Sequence, residues 1–214
     1  TPKSTEIVLA SSSPRRRDLL NSLDINFDIK SPDIDETPKK LELSEDMVKR
    51  LSFEKALAIA ETVKAGYVIG ADSTVEYEGR SYGKPLDSSD AVRMLKELSG
   101  TDHRVITGLT VIEVGTGRFI TDALKTRVSM RDLSDNEIRA SVDIGTPMDK
   151  AGAYAVQDPD LKPANELEGC YTNVIGLPLC RVMSMFEELG ILFGSEKTPQ
   201  NFCESVCSHS QVLP

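Results

Sequence analysis

The sequence predicts an α/β fold in one domain, and three observations carry that expectation. Short apolar runs rich in β-branched residues alternate with stretches of helical spacing. Two of those runs are doubled back by turn residues into hairpins, a short one from Tyr67 to Pro85 and a long one from His103 to about Arg131. A chain of 214 residues, 39% hydrophobic and 28% charged, is also long enough to bury a proper core, with room for two lobes. No apolar run approaches the roughly 20 residues of a membrane helix. The first residues lack the basic-then-apolar pattern of a signal peptide, so a cytoplasmic location is expected. A net charge of −9 argues against nucleic-acid or membrane partners, which need an extended positive surface. Any phosphate site must be local.

In chain order, Glu6 to Ala10 reads as a strand, and Ser11-Ser12-Ser13-Pro14 supplies loop, N-cap and a proline fit for the first helical turn. That helix carries Arg15, Arg16 and Arg17 where the helix dipole disfavours cations, by about 0.3–1 kcal/mol each. An anion held by the free N–H groups, the serine hydroxyls and two of the arginines would compensate. A solvated basic patch is the blander account. Phe27 to Lys30 is a second short strand, and the loop after it gathers Asp33, Asp35 and Glu36, hard oxygen donors suited to Mg²⁺. Asp33-Ile34-Asp35-Glu36-Thr37 also fits the D-x-D-x-T pattern of aspartate-nucleophile phosphatases, although Ser31 and Pro32 interrupt the strand such a motif would close. Ser44 opens a long helix whose inward stripe runs through Val48, Leu51, Ile59 and Val63; Lys55 falls within that stripe and should point inward, as a snorkelling side chain or towards phosphate.

The stretch YVIGADSTVEYEGRSYGKP is the centre of the chain. A buried strand delivers Asp72 and Ser73, and a turn at Glu78-Gly79-Arg80 returns Lys84 near Asp72. The pair suits chemistry on a charged substrate or, equally, a strand-end ion pair. Asp87 and Asp90 frame a helix ending at Gly100; Ser134 and Glu137 form a capping box for a short helix. Asp149 to Gln157 reads as a turn into a strand, Asp158 to Gly169 as a polar loop, and Cys170 to Ile175 as another strand. Pro178 starts a final helix through Leu189, and the domain is expected over residues 1–193, with 194–214 a disordered tail or linker. The four cysteines do not form a disulfide pattern, and Cys203-x3-Cys207 with His209 lacks a fourth zinc ligand.

Six stretches, LASSSPRRRDLL, the DIDET loop, FEKA around Lys55, GADS, GKP and AYAVQ, together resemble the Maf family of nucleoside triphosphate pyrophosphatases. Each is weak alone, but their order and spacing from about Ile7 to Leu192 are specific. The resemblance implies an elongated mixed sheet in two lobes around a cleft, of the inosine-triphosphatase-like kind, often as a homodimer. It implies hydrolysis between the α and β phosphates with Mg²⁺ or Mn²⁺. By position it makes Asp72 the proton acceptor, seconded by Lys84, and gives Ser11, Arg16, Lys55 and Lys84 to phosphate and Glu36 with Asp72 to the metal. Arg15, Ser73 and Gln157 fall at positions tied to base choice. Arg15 and Gln157 match the branch preferring dTTP and UTP, whereas Ser73 stands where many members have Thr. A start at Thr1 and a polar tail suggest a segment leading to a further domain C-terminal of it. Competing readings are a phosphatase using Asp33, a non-catalytic nucleotide-binding regulator and an interaction domain; product analysis, turnover and nucleotide binding separate them.

Overall fold

The computed structural model describes residues 6–191 and the backbone of residues 211–212. The first strand, β1 (Ile7–Ala10), is buried along its whole length and leads through a serine loop into α1 (Pro14–Asn21), whose N-cap is Ser13. A two-residue strand, β2 (Asp28–Ile29), precedes the long helix α2 (Ser44–Ala60). The central hairpin is β3 (Gly66–Tyr77) with β4 (Arg80–Tyr82), followed by α3 (Ser88–Leu98). The long hairpin is β5 (Asp102–Val114) with β6 (Phe119–Met130), and α4 (Asp135–Ile144) follows with the expected capping box between Ser134 and Glu137. A 3₁₀ turn at Ala151–Ala153, β7 (Ala164–Glu168), α5 (Tyr171–Ile175), α6 (Leu179–Glu188) and β8 (Gln211–Val212) complete the order.

The strands form one mixed sheet in the order β2-β1-β3-β5-β6-β7-β8, with β4 on β3. β1 runs parallel to β2 and β3, and the other pairings are antiparallel. At about 3.3 Å per residue the strands β3, β5 and β6 reach ~40 Å, long enough to belong to two cores in succession. Over the first half of β3, Val68 joins Ala56 and Ile59 of α2 on one face, and Ile69 joins Leu20, Leu179 and Phe186 on the other. Further along β3, Val75 packs with Leu95, Leu98, Ile138 and Tyr154 in a separate core. Asp72 and Ser73 lie where the strand passes from one lobe to the other.

Two glycines set how closely α2 lies on the sheet. A Cβ at Gly70 would sit 2.1 Å from the Ser52 carbonyl oxygen, and one at Gly108 2.1 Å from that of Val48. The helix backbone therefore rests directly on β3 and β5, and Lys55 projects along the sheet surface toward Asp72. The helix opens at Ser44 as expected, with Leu43 at the N-cap position and the Ser44 hydroxyl bonded across to Ser81 of the hairpin at 2.6 Å.

Three expectations for the C-terminal third are corrected. Asp149 to Gln157 does not enter a strand, because Gly152 and Ala153 take positive φ values of 69° and 63° and the Gly152 N–H donates to the Gly83 carbonyl. Its alternating apolar residues answer to burial of Ala153, Tyr154 and Val156 in the second core, with no sheet ladder. The supposed polar loop contains β7, an antiparallel partner of β6 that buries Ala164 and Leu167 and leaves glutamates outward. Tyr171–Ile175 is helical with Cys170 as its extended N-cap, its turn closed by Gly176 and Leu177 N–H groups on the Thr172 carbonyl; a six-residue stretch fits either period. The expected tail lies outside the described residues except for Gln211–Val212, which pair with β7. No helix among the described residues is long and apolar enough to cross a membrane.

Candidate active site

A cleft of about 830 Å³ opens between the lobes, within the range of small-molecule sites. Its wall receives residues from all six stretches singled out in the sequence, from Ser11 at the tip of β1 to Gln157 beyond the 3₁₀ turn. At its centre Lys55 Nζ donates to Asp72 Oδ1 at 2.7 Å and lies 2.9 Å from Glu36 Oε2. Lys55 and Asp72 are 7% and 8% exposed, so this ion pair is held out of bulk water. The ammonium at Asp72 is thus Lys55, carried by α2, and the expectation that Lys84 would fill that place is corrected. The hairpin pairing ends at Val75–Tyr82, and the Gly83 carbonyl accepts from the Gly152 N–H. Lys84 lines the same cleft as an exposed cation.

Glu36 reaches Lys55 from a loop that its neighbours hold in place. Ile34 packs against Met47, Val48 and Leu51, and Asp35 Oδ1 accepts from the Thr37 N–H at 2.9 Å. Arg50 of α2 donates to the Thr37 carbonyl at 3.3 Å and grips Glu42 with two bonds of 2.6 and 2.7 Å. The hydrogen bond from Arg50 holds the Glu42 carboxyl down at about 2. Asp33 is exposed and does not line the cleft, which removes the geometry an aspartate-nucleophile phosphatase would need.

The three arginines of α1 part ways. Arg16 turns inward, donating from Nε to the Gly176 carbonyl at 2.8 Å, from one terminal nitrogen to Ser73 Oγ at 3.1 Å and from the other to Ser11 Oγ at 3.4 Å. Burial pulls its guanidinium below the ordinary arginine value, opposed by Asp72 and reinforced by Arg15. A cation so desolvated is stabilised by an arriving anion. Arg15 instead clasps Asp149, bonding its side chain at 2.7 Å and its carbonyl at 3.0 Å, and Arg17 pairs with Asp18 in solvent. The compensation expected for this cationic turn is thereby supplied in part by carboxylates. Ser11, Arg16 and Ser73 are brought together beside the Lys55–Asp72 pair; Gln157 stands exposed at the cleft margin on the loop that Arg15 and Asp149 tether.

Sequence reasoning missed the buried support behind Ser73. Its hydroxyl lies 2.9 Å from Thr107 Oγ1, which donates to the Asn173 carbonyl at 3.0 Å; Asn173 Nδ2 in turn bonds the Val105 carbonyl and Thr126. Nothing in the local pattern of TNVIG marks Asn173. For Asp149, a carboxylate beginning the same stretch that ends in Gln157, the unbalanced charge of Arg15 was the available signal.

The same loop is braced from below by His103, 2% exposed, whose Nε2 lies 2.6 Å from the Tyr154 hydroxyl. Burial pushes the His103 imidazole down to about 4 and raises the Tyr154 phenol, so the folded state requires neutral histidine. A depressed folded value means stability that is present above the unfolded value near 6.5 and lost as pH falls towards 4. Between pH 7 and 5 the loss from this group is about 2 kcal/mol. Urea unfolding at both pH values should show His103→Gln losing less stability over that interval than wild type by roughly this amount; equal losses would mean His103 ionises freely.

The family model described as Maf-like protein matches residues 6–189. A dTTP/UTP pyrophosphatase of Pelotomaculum thermopropionicum is 48% identical over 86% of this chain and 97% of its own length. A dTTP/UTP pyrophosphatase of Geobacter metallireducens is 45% identical over 89% of this chain and 100% of its own. Among solved structures, the Staphylococcus aureus Ham1 protein is similar over 60% of this chain and 73% of that one, at 15% identity and a TM-score of 0.44. With the match spanning both lobes and every stretch that lines the cleft, the chain belongs to the Maf family.

Proposed function

We propose that this protein hydrolyses nucleoside triphosphates, with dTTP, UTP and related pyrimidine nucleotides preferred, to nucleoside monophosphate and pyrophosphate. The observation that carries this reading is Asp72, a buried carboxylate at the junction of the lobes, in a cleft that also presents Arg16, Lys55 and Lys84. Relatives 45–48% identical along nearly their whole length bear the name dTTP/UTP pyrophosphatase. The cations offset the charge of a triphosphate, and Asp72 orients and deprotonates the attacking water.

The donor set fits a divalent ion. Two carboxylates, Asp72 and Glu36, converge on one point, and Mg²⁺ or Mn²⁺ is commonly held by one or two carboxylates completed by substrate phosphates. Bound there, the ion would polarise the phosphate under attack. Ser11 and Arg16 bind phosphate oxygens, and Lys84 adds a further cation from the same cleft. Arg15, Ser73 and Gln157 govern base choice, Arg15 in part through the loop it ties at Asp149.

The test is product and substrate analysis with Mg²⁺ or Mn²⁺. Pyrophosphate and monophosphate are expected as primary products, with higher kcat/KM for dTTP or UTP than for dGTP or ATP. Orthophosphate as the first product would overturn the reaction assignment; equal or better purine efficiency would overturn the base assignment. Tight nucleotide binding without turnover would identify a regulator.

A further inference from the structure

The point on which Asp72 and Glu36 converge is held by a positive charge that belongs to the chain itself. Lys55 Nζ lies 2.7 Å from Asp72 Oδ1 and 2.9 Å from Glu36 Oε2. Its stem is buried in the α2 face against the sheet, and Gly70 and Gly108 keep that helix close, so the ammonium has little freedom to retreat along its own axis. Glu36 is the yielding partner. Its side chain is 57% exposed and comes from a loop, whereas Asp72 is fixed in the middle of β3. Two carboxylates offer enough negative charge for one close cation, and a second cation beside the first meets like-charge repulsion.

We infer that Lys55 and a divalent ion compete for Asp72 and Glu36. The ion therefore binds the protein alone poorly and binds well together with the nucleotide, whose phosphate oxygens give the ammonium another partner. Lys55 then acts twice. It holds the Glu36 loop against the cleft and keeps the Asp72 carboxylate oriented, and it passes to phosphate when the nucleotide and its ion arrive. This order follows from charge balance: a triphosphate brings more negative charge than the ion removes, so lysine and ion are both satisfied only when the phosphates are present. The role of the phosphates rests on the nucleotide-hydrolysis reading; the competition for the two carboxylates does not.

Mn²⁺ binding to the full chain without nucleotide, followed by electron paramagnetic resonance of the free ion, tests the competition with no turnover involved. Lys55→Gln removes the charge and keeps an uncharged donor on a side chain one atom shorter, and Lys55→Met removes donor and charge. Both are expected to bind Mn²⁺ at least about tenfold more tightly than wild type, a change of the size produced by altering groups next to metal ligands. Adding Asp72→Asn to either variant should abolish the gain. If Lys55→Met does not fold, Lys55→Gln carries the comparison, since its amide keeps a hydrogen-bond donor in the cleft. Unchanged or weaker Mn²⁺ binding by a folded Lys55→Gln overturns the inference, as does a gain that survives Asp72→Asn. Tighter Mn²⁺ binding in a protein that releases no pyrophosphate from any triphosphate would uphold the competition and refute the functional reading, so the two fail separately.

Discussion

Asp72→Asn is expected to lower turnover by about 10²–10⁴-fold, the range spanned by general acid–base catalysis. The substitution keeps size and shape and removes the charge. Lys55 retains Glu36 as a partner and the new amide oxygen still accepts its hydrogen bond, so the protein should fold, with its melting temperature lowered by a few degrees. Nucleotide affinity should fall much less than turnover, because the cations Arg16, Lys84 and Lys55 remain in the cleft and loss of the carboxylate removes a repulsion. Turnover, nucleotide dissociation constant and melting temperature measured on one preparation decide the matter. If Asp72 serves only to neutralise a buried lysine, the variant will be less stable and its rate per folded molecule almost unchanged, and that result would refute the catalytic assignment.

Gly70→Ala should damage stability and activity together, although the residue touches no substrate. The added methyl would lie 2.1 Å from the Ser52 carbonyl oxygen and 2.8 Å from the Ala56 nitrogen, both helix backbone. Ordinary contact requires α2 to lift by roughly 1 Å, and overpacking of this kind costs about 1–3 kcal/mol. Lys55 rides on the same turn of the helix, so the lift separates it from Asp72; a misplacement near 1 Å costs about 10²-fold in rate. Gly83→Ala is the stability control, since its added methyl meets nothing within 4 Å. A Gly70→Ala protein with wild-type melting temperature and rate would show that the helix has slack and that its height does not set the site.

The sequence was most legible where one period dominated over many residues. The stripe of α2 was read from helical spacing, and with it the inward direction of Lys55, now seen 7% exposed. The long β5–β6 hairpin was equally plain, with Gly115-Thr116-Gly117 between its apolar strands. Legibility failed after Asp149, where segments are short and their apolar residues serve burial from irregular backbone. Tyr154 and Val156 alternate as a strand would, yet the chain has already turned at two positive-φ residues, and Asn173 lies in a run too short to declare its period.

By itself the sequence singled out residues that line the cleft, and placed Lys55 on a helix and Asp72 on a strand, because residue type, local spacing and motif order are properties of the chain. Only the tertiary structure decided who partners whom. Asp72 was offered Lys84 by proximity in sequence and received Lys55, seventeen residues earlier, through a helix laid on glycines. Arg15, Arg16 and Arg17 are adjacent in the chain, yet one clasps a loop, one enters the cleft and one remains in solvent. The reason is that a charge pair depends on distance in space to within an ångström or so, and that distance is set by how closely whole elements pack, a quantity no local pattern contains.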